Sequence, residues 1–200
     1  MNFWKNTATL DALVPELLDT VEAAEAEIAV IGGKPIDLAS MPKLKIIFKC
    51  GVGVDNIPFK EAEKRKIEVI LPSEATKRFI FEETANFAVH LIIQALYRDL
   101  GSVEIWEKKL RPFLGDYKVL VLGQGNIGKQ VADKLNPLVA VSTYDPLQNS
   151  EEELEELFKQ SDVISLHIPL NEHTLSFVDE EKLGWMKDGA TLVNTARGPI

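Results

Sequence analysis

KVLVLGQGNIGKQVADKLNPLVAVSTYD, residues 118–145, is the stretch on which the fold turns. It opens with the apolar run 119–122, which suits a parallel strand covered on both faces. Gly123-Gln124-Gly125-Asn126-Ile127-Gly128 follows at once, and Ile127, Val131 and Leu135 then take up helical spacing. A second, mostly apolar run, 139–144, ends on Asp145, 20 residues after Gly125. Strand, glycine turn, helix, strand and acid within 28 residues make the pattern of a dinucleotide-binding βαβ unit. Gly123 makes the tight turn, Gly125 lets the backbone approach a pyrophosphate, and Gly128 lets helix pack on strand. The phosphates would rest on unpaired N–H groups at the helix N-terminus, where the dipole favours negative charge. Asp145 would accept hydrogen bonds from a ribose 2′,3′-diol. A lone G-x-G-x-x-G is weak evidence, and an ordinary glycine turn is the plain alternative; here the flanking context is present on both sides. NAD is favoured over NADP, because Asp145 would repel a 2′-phosphate, 146–149 holds no Arg or Lys, and 151–153 adds three glutamates.

Two hundred residues suffice for one large domain or two small ones with buried cores. The composition, 46% hydrophobic and 26% charged, is that of a globular protein. A formal charge of −9 argues against nucleic acid and anionic membranes as partners. The single cysteine, Cys50, excludes an internal disulfide and suits a reducing compartment. The longest apolar stretch, 87–96, is broken by His90 and Gln94 and falls short of a membrane span. No signal-peptide core occupies 1–10, so a cytoplasmic location is expected. Nothing in the residue pattern suggests a metal site.

Taken in order, 1–9 is uninformative, 10–24 reads as a helix interrupted near Pro15, and 27–31 as a strand ending on Gly32-Gly33. A second strand, 44–48, runs into Lys49-Cys50-Gly51-Val52-Gly53-Val54-Asp55-Asn56, and a third spans 67–71. Strands alternating with helices mean an α/β fold, with sites where strands end. A long helix is expected over 82–100, apolar nearly all round and so buried between domains or subunits. Its Asn86, His90, Gln94 and Arg98 fall four apart. For His90, a polar seam along a packed helix is a plainer reading than catalysis. The best domain boundary is 101–115, with a short charged helix around Trp106 and turn residues Pro112 and Gly115. This divides the chain into a domain over 1–100 and a nucleotide-binding domain over 101–200. Ser150 to Glu153 reads as a capping box. Strands follow at 162–166, leading into His167-Ile168-Pro169, and at 191–194, leading into Thr195-Ala196-Arg197-Gly198. In the doubly wound order 3-2-1-4, the first and fourth strands flank the crevice, which would set Arg197 beside the glycine loop.

At these residues the chain resembles the D-isomer-specific 2-hydroxyacid dehydrogenase family, most of all its D-3-phosphoglycerate dehydrogenase branch. The resemblance covers nearly the whole chain and rests on CGVGVDNI at 50–57, VLGQGNIG at 121–128, YDP at 144–146, SDVISLHIPLNEHT at 161–174 and LVNTARG at 192–198. It implies a Rossmann-type doubly wound parallel sheet preceded by a flavodoxin-like substrate domain, NAD as cofactor, and usually a homodimer. It implies hydride transfer between nicotinamide and the α-carbon of a D-2-hydroxy or 2-oxo acid, D-3-phosphoglycerate among the candidates. Asn126 and Ile127 would offer N–H groups to the pyrophosphate; His167, Ile168 and Pro169 would line the cofactor cleft. Thr195 and Ala196 would sit near the nicotinamide, and Arg197 would polarise the substrate. Val52 and Gly53 would present amides to the substrate carboxylate, and Lys49 would meet a carboxylate or phosphate as a point charge.

The physical chemistry agrees: a planar guanidinium can grip carboxylate and carbonyl oxygens together. Read alone, CGVGVDN is equally a plain turn, His167 a strand-end structural residue, and His173 loop surface. The family's acid–base histidine and its supporting glutamate fall beyond the arginine motif, and 1–9 leaves little room for the family's first strand. Both domains are therefore expected to be incomplete here. A catalytically inactive NAD-binding module, used in regulation or recruitment, is the rival reading.

Overall fold

The computed structural model describes every residue except 15, 17, 18, 99, 100, 103 and 106. The chain packs as two compact units, Met1–Ile80 and Phe81–Ile200. The first is a four-stranded parallel sheet of β1 (Phe3–Lys5), β2 (Ile28–Ile31), β3 (Ile46–Lys49) and β4 (Glu68–Ile70), in consecutive order. Residues 1–9 thus do form a strand, contrary to expectation: Phe3, Trp4 and Lys5 pair in parallel with Ile28, Ala29 and Val30. Helix α1 (Phe59–Lys64) begins directly after Pro58. Ala29, Ile31 and Ile47 meet Leu38, Met41, Ile57, Ala62 and Ile67 in this unit's core. Among the described residues of 10–24 no long helix forms: residues 9–13 are turns and 23–25 a single 3₁₀ turn, while Pro15 lies outside the described residues.

Helix α2 (Glu74–Leu96) starts eight residues earlier than expected, because Ser73 Oγ accepts from the N–H of Thr76 at 3.2 Å and starts the helix. Its buried face is Ala85, Ala88, Ile92 and Leu96. Asn86, His90 and Gln94 are exposed, so they form no packed seam, and Phe79 and Phe87 are exposed as well. Around the expected helix at Trp106, β5 (Gly101–Ser102) and β6 (Glu107–Lys108) form a short antiparallel ribbon. Trp106 itself lies outside the described residues. The packing divides at 80 rather than 100, because α2 contributes its buried face to the second core.

The second unit contains β7 (Lys118–Leu122), α3 (Asn126–Leu135), β8 (Ala140–Tyr144), α4 (Glu151–Gln160), β9 (Val163–Leu166), α5 (Glu180–Trp185) and β10 (Thr191–Asn194). Its sheet is parallel and ordered β8-β7-β9-β10. Counted along the chain that is 2-1-3-4, which corrects the expected 3-2-1-4. Burial explains the difference. All four residues of β9 are buried, as a central strand requires, whereas Ser142 and Thr143 of β8 are exposed, as an edge tolerates. One face packs Val119, Val121 and Val163 under α2 and α3. The other packs Leu120, Leu122, Ile164 and Leu166 under Leu154 and Phe158 of α4, with Trp185 of α5 edge-on to Phe158. The connections change faces between β7 and β9, and the crevice of a doubly wound sheet opens at such a reversal.

Candidate functional site

Gly123 leaves β7 with φ of +102°, a conformation that favours glycine. A Cβ there would lie 2.6 Å from the carbonyl oxygen of His167, so the glycine turn presses on the segment after β9. At Gly128 a Cβ would come within 1.9 Å of the Gly123 oxygen and 3.4 Å of His167 Cβ, so helix and turn touch only because both residues are glycine. Gly125 is different: nothing lies within 4 Å of the position its Cβ would take. Protein packing does not demand glycine there, and the open space is what a closely approaching pyrophosphate needs. Gly125 caps α3 with no side-chain hydrogen bond, which leaves first-turn N–H groups such as those of Asn126 and Ile127 aimed outward.

Asp145 follows β8 at the same edge. Its Oδ2 accepts from the N–H of Gln124 at 3.2 Å and its Oδ1 from the N–H of Leu147 at 3.0 Å. One carboxylate therefore fixes the glycine loop, and lone pairs remain on both oxygens for a ribose diol. Asn149, which the sequence did not single out, steadies it: its Oδ1 accepts from the Asp145 N–H at 2.9 Å and its Nδ2 donates to Glu153 at 2.9 Å. Only half of the expected capping box forms, Ser150 accepting from the N–H of Glu153 at 3.3 Å while the Glu153 carboxylate turns to Asn149. These groups fit a dinucleotide.

His167 lies behind the loop, its ring 2.8 Å from the hydroxyl of fully buried Ser165. Burial lowers its pKa from 6.5 to about 4, so the imidazole is neutral at ordinary pH. Ile168 turns into the core and is 5% exposed, so its side chain is not a cleft wall; Pro169 is exposed. Beside β8 a cavity of about 460 Å³ opens among Tyr144, Pro146, Asn149, Leu154, His173 and Leu175. His173 is thus a cavity wall, which nothing in its sequence setting signalled.

Thr195, Ala196 and Arg197 form a turn just past β10. The true strand order puts β9 between β7 and β10, so Arg197 is not directly beside the glycine strand as expected. It stands two strand spacings away, roughly 4.8 Å each, on the same carboxyl edge. Arg197 Nη1 donates to the Ala196 carbonyl at 2.9 Å. The Thr195 hydroxyl is buried with no hydrogen-bond partner among the described residues.

In the first unit the corresponding edge carries Lys49, Val52 and Gly53. Lys49 is 2% exposed and donates to the carbonyl of Gly32 and, at 2.7 Å, to Asn56 Oδ1. Asn56 Nδ2 returns to the carbonyls of Gly32 at 3.0 Å and Lys34 at 2.6 Å. Asn6 completes the brace by accepting from the Gly32 N–H at 2.8 Å. The ammonium thus ties the strand-end loops together, which the sequence did not show. Among the described residues, the N–H groups of Val52 and Gly53 donate no hydrogen bond, and nothing lies within 4 Å of a Cβ on Gly51. Burial raises the neighbouring Cys50 thiol above its usual range. Among the described residues, no cluster of metal-ligating side chains occurs and no helix is long and apolar enough to cross a membrane.

A doubly wound parallel sheet with a glycine-lined crevice, an acid on the second strand and an arginine turn on the same edge defines a dinucleotide-binding α/β protein. Comparison with known proteins narrows the class. Residues 94–200 match the NAD binding domain of the D-isomer specific 2-hydroxyacid dehydrogenases, and residues 11–78 match their catalytic domain. The chain belongs to that family. It is 35% identical over 171 residues to a hydroxypyruvate reductase of Thermotoga maritima, covering 78% of this chain and 54% of that protein. It is 32% identical over 224 residues to a glyoxylate reductase of Korarchaeum cryptofilum, covering 100% of this chain and 65% of the relative. Among solved structures, D-lactate dehydrogenase from Aquifex aeolicus, complexed with NAD and lactic acid, is 30% identical with a TM-score of 0.68. That match covers 94% of this chain and 60% of the other. The chain thus spans between about half and two thirds of the length of these relatives.

Proposed function

We propose that the protein works as an NAD-dependent oxidoreductase that moves a hydride between the nicotinamide and the α-carbon of a D-2-hydroxy or 2-oxo acid. The observation that carries this reading is the arginine turn at 195–197, held on the carboxyl edge that also bears the glycine crevice. When bound, NAD supplies the hydride acceptor. Arg197 grips the acid's carboxylate and carbonyl oxygens and polarises the carbonyl, which a planar guanidinium does better than a point charge. Gly125, Asn126 and Ile127 hold the pyrophosphate, and Asp145 holds the adenosine ribose and rejects a 2′-phosphate. The cavity beside Tyr144 and His173 takes the adenine. Thr195 and Ala196 face the nicotinamide.

The free N–H groups of Val52 and Gly53 receive the substrate carboxylate. Lys49, buried and tied to Gly32 and Asn56, supports that loop rather than a phosphate. This favours a small unphosphorylated acid, such as those named for the glyoxylate and hydroxypyruvate reductase relatives, over 3-phosphoglycerate. His167 is not the proton donor, because its neutral ring is held against Ser165 behind the glycine loop. A homodimer in the cytoplasm belongs to the same reading; the exposed Phe79 and Phe87 on α2 support a subunit contact.

The test is to supply the full-length protein with NADH and glyoxylate, hydroxypyruvate or pyruvate, and with NAD and D-glycerate, D-lactate or D-3-phosphoglycerate. Changes in NADH absorbance report turnover. Tight NAD binding with no turnover on any acid would favour the inactive NAD-binding module.

A further inference from the structure

Residue 194 carries an asparagine that the function above does not use. It ends β10 and is exposed, so it fills no core. Its side chain nevertheless makes two backbone contacts within the next three residues. Oδ1 accepts from the N–H of Ala196 at 3.0 Å, and Nδ2 donates to the carbonyl of Arg197 at 2.9 Å. The N–H of Ile200 donates to the same Arg197 carbonyl at 3.2 Å. An amide side chain that pairs with both a donor and an acceptor of a turn acts as a local template, since it competes with other backbone conformations. Here the templated turn is the one that projects Arg197.

We infer that Asn194 is a positioning residue, which fixes the Thr195–Arg197 backbone and through it the direction of the Arg197 guanidinium. The inference rests on the proposed role of Arg197 for its functional consequence, but not for its geometric one. Arg197 is half-buried, and the two Asn194 contacts fall on the backbone that carries it. A small displacement of a substrate-gripping group costs about a hundredfold in rate where geometry must be held. Asn194 supplies that constraint from outside the core, so its loss acts on the turn and leaves the sheet intact.

Two variants separate the contacts. Asn194→Ala removes both; Asn194→Asp keeps an oxygen for the Ala196 N–H and loses the donor to Arg197. In ¹⁵N-labelled full-length protein, the Arg197 Nε–Hε resonance is identified by its loss in Arg197→Lys. Asn194→Ala is expected to shift or broaden that resonance and to speed solvent exchange of the Ala196 amide, with Tm nearly unchanged. Asn194→Asp should restore protection of the Ala196 amide. Binding of oxamate, a 2-oxo acid mimic, to the NADH-loaded protein should weaken roughly tenfold to a hundredfold in Asn194→Ala while NADH affinity holds. An unmoved Arg197 resonance overturns the positioning role, whatever oxamate does. Equal losses of NADH affinity, oxamate affinity and Tm also overturn it, since they mark a purely structural residue. If the resonance moves but the wild-type protein binds no oxamate, the positioning role stands and the substrate reading falls.

Discussion

Each of the two parallel sheets ends in a glycine-bearing loop, 50–56 after β3 and 123–128 after β7, and the glycines do different work. In the second loop the protein itself demands glycine. Gly123 has φ of +102°, and a Cβ on Gly128 would meet the Gly123 oxygen at 1.9 Å. In the first loop, nothing lies within 4 Å of a Cβ on Gly51. There the shape is held by side chains, through the buried ammonium of Lys49 and the amide of Asn56. One loop is enforced by what a side chain would strike; the other is tied by what side chains reach.

The two loops should part most sharply at their glycines. Gly128→Ala forces α3 away from the Gly123 turn and should destabilise the second unit by about 1–3 kcal/mol or more, as overpacking does. Gly51→Ala should leave the melting temperature unchanged. Thermal unfolding of both variants settles it, and equal destabilisation would mean the loops are built alike. Next in size is Lys49→Met, which strips the ammonium from Gly32 and leaves Asn56 Oδ1 without it. An unsatisfied buried group costs about 1–3 kcal/mol, so the variant should lose stability. A variant of wild-type stability with only a raised KM would instead make Lys49 a substrate contact.

A third test is one of pH. His167 in the second loop's wall has its pKa lowered by burial from 6.5 to about 4. Between those values the unfolded chain binds the extra proton, so stability falls as pH drops from about 6.5 toward 4 and levels off below. The slope is at most about 1.4 kcal/mol per pH unit for one proton. His167→Asn should flatten this stretch of the stability profile, as followed by urea unfolding at stepped pH. An unchanged profile would show that the imidazole is not buried neutral.

This contrast also explains what the sequence made legible. The glycine pattern, the flanking strands and Asp145 were readable because each is required locally by backbone geometry. Strand order was not, since pairing is a non-local choice; yet the polar Ser142 and Thr143 of β8, set against the wholly apolar start of β9, held the clue. The start of α2 is not legible, because a serine's capacity to cap shows only when its Oγ accepts from Thr76. Strand β1 is not legible, because three residues are too few to show a period. The braces at Asn6, Asn56, Asn149 and Asn194 were invisible for a different reason: an asparagine names a capacity for paired hydrogen bonds, and only the fold supplies the partners.

Arg197 carries the proposed chemistry. Replacing it with lysine keeps the charge and removes the planar fork, while the glycine crevice and Asp145 are untouched. The decisive measurement is steady-state turnover of full-length Arg197→Lys with the preferred 2-oxo acid, alongside NADH affinity by fluorescence. The expected result is a loss of kcat/KM of about a hundredfold or more, equivalent to roughly 2.7 kcal/mol of transition-state binding, with NADH affinity unchanged. Unchanged turnover, or a fall in NADH affinity that matches the loss in rate, would contradict it.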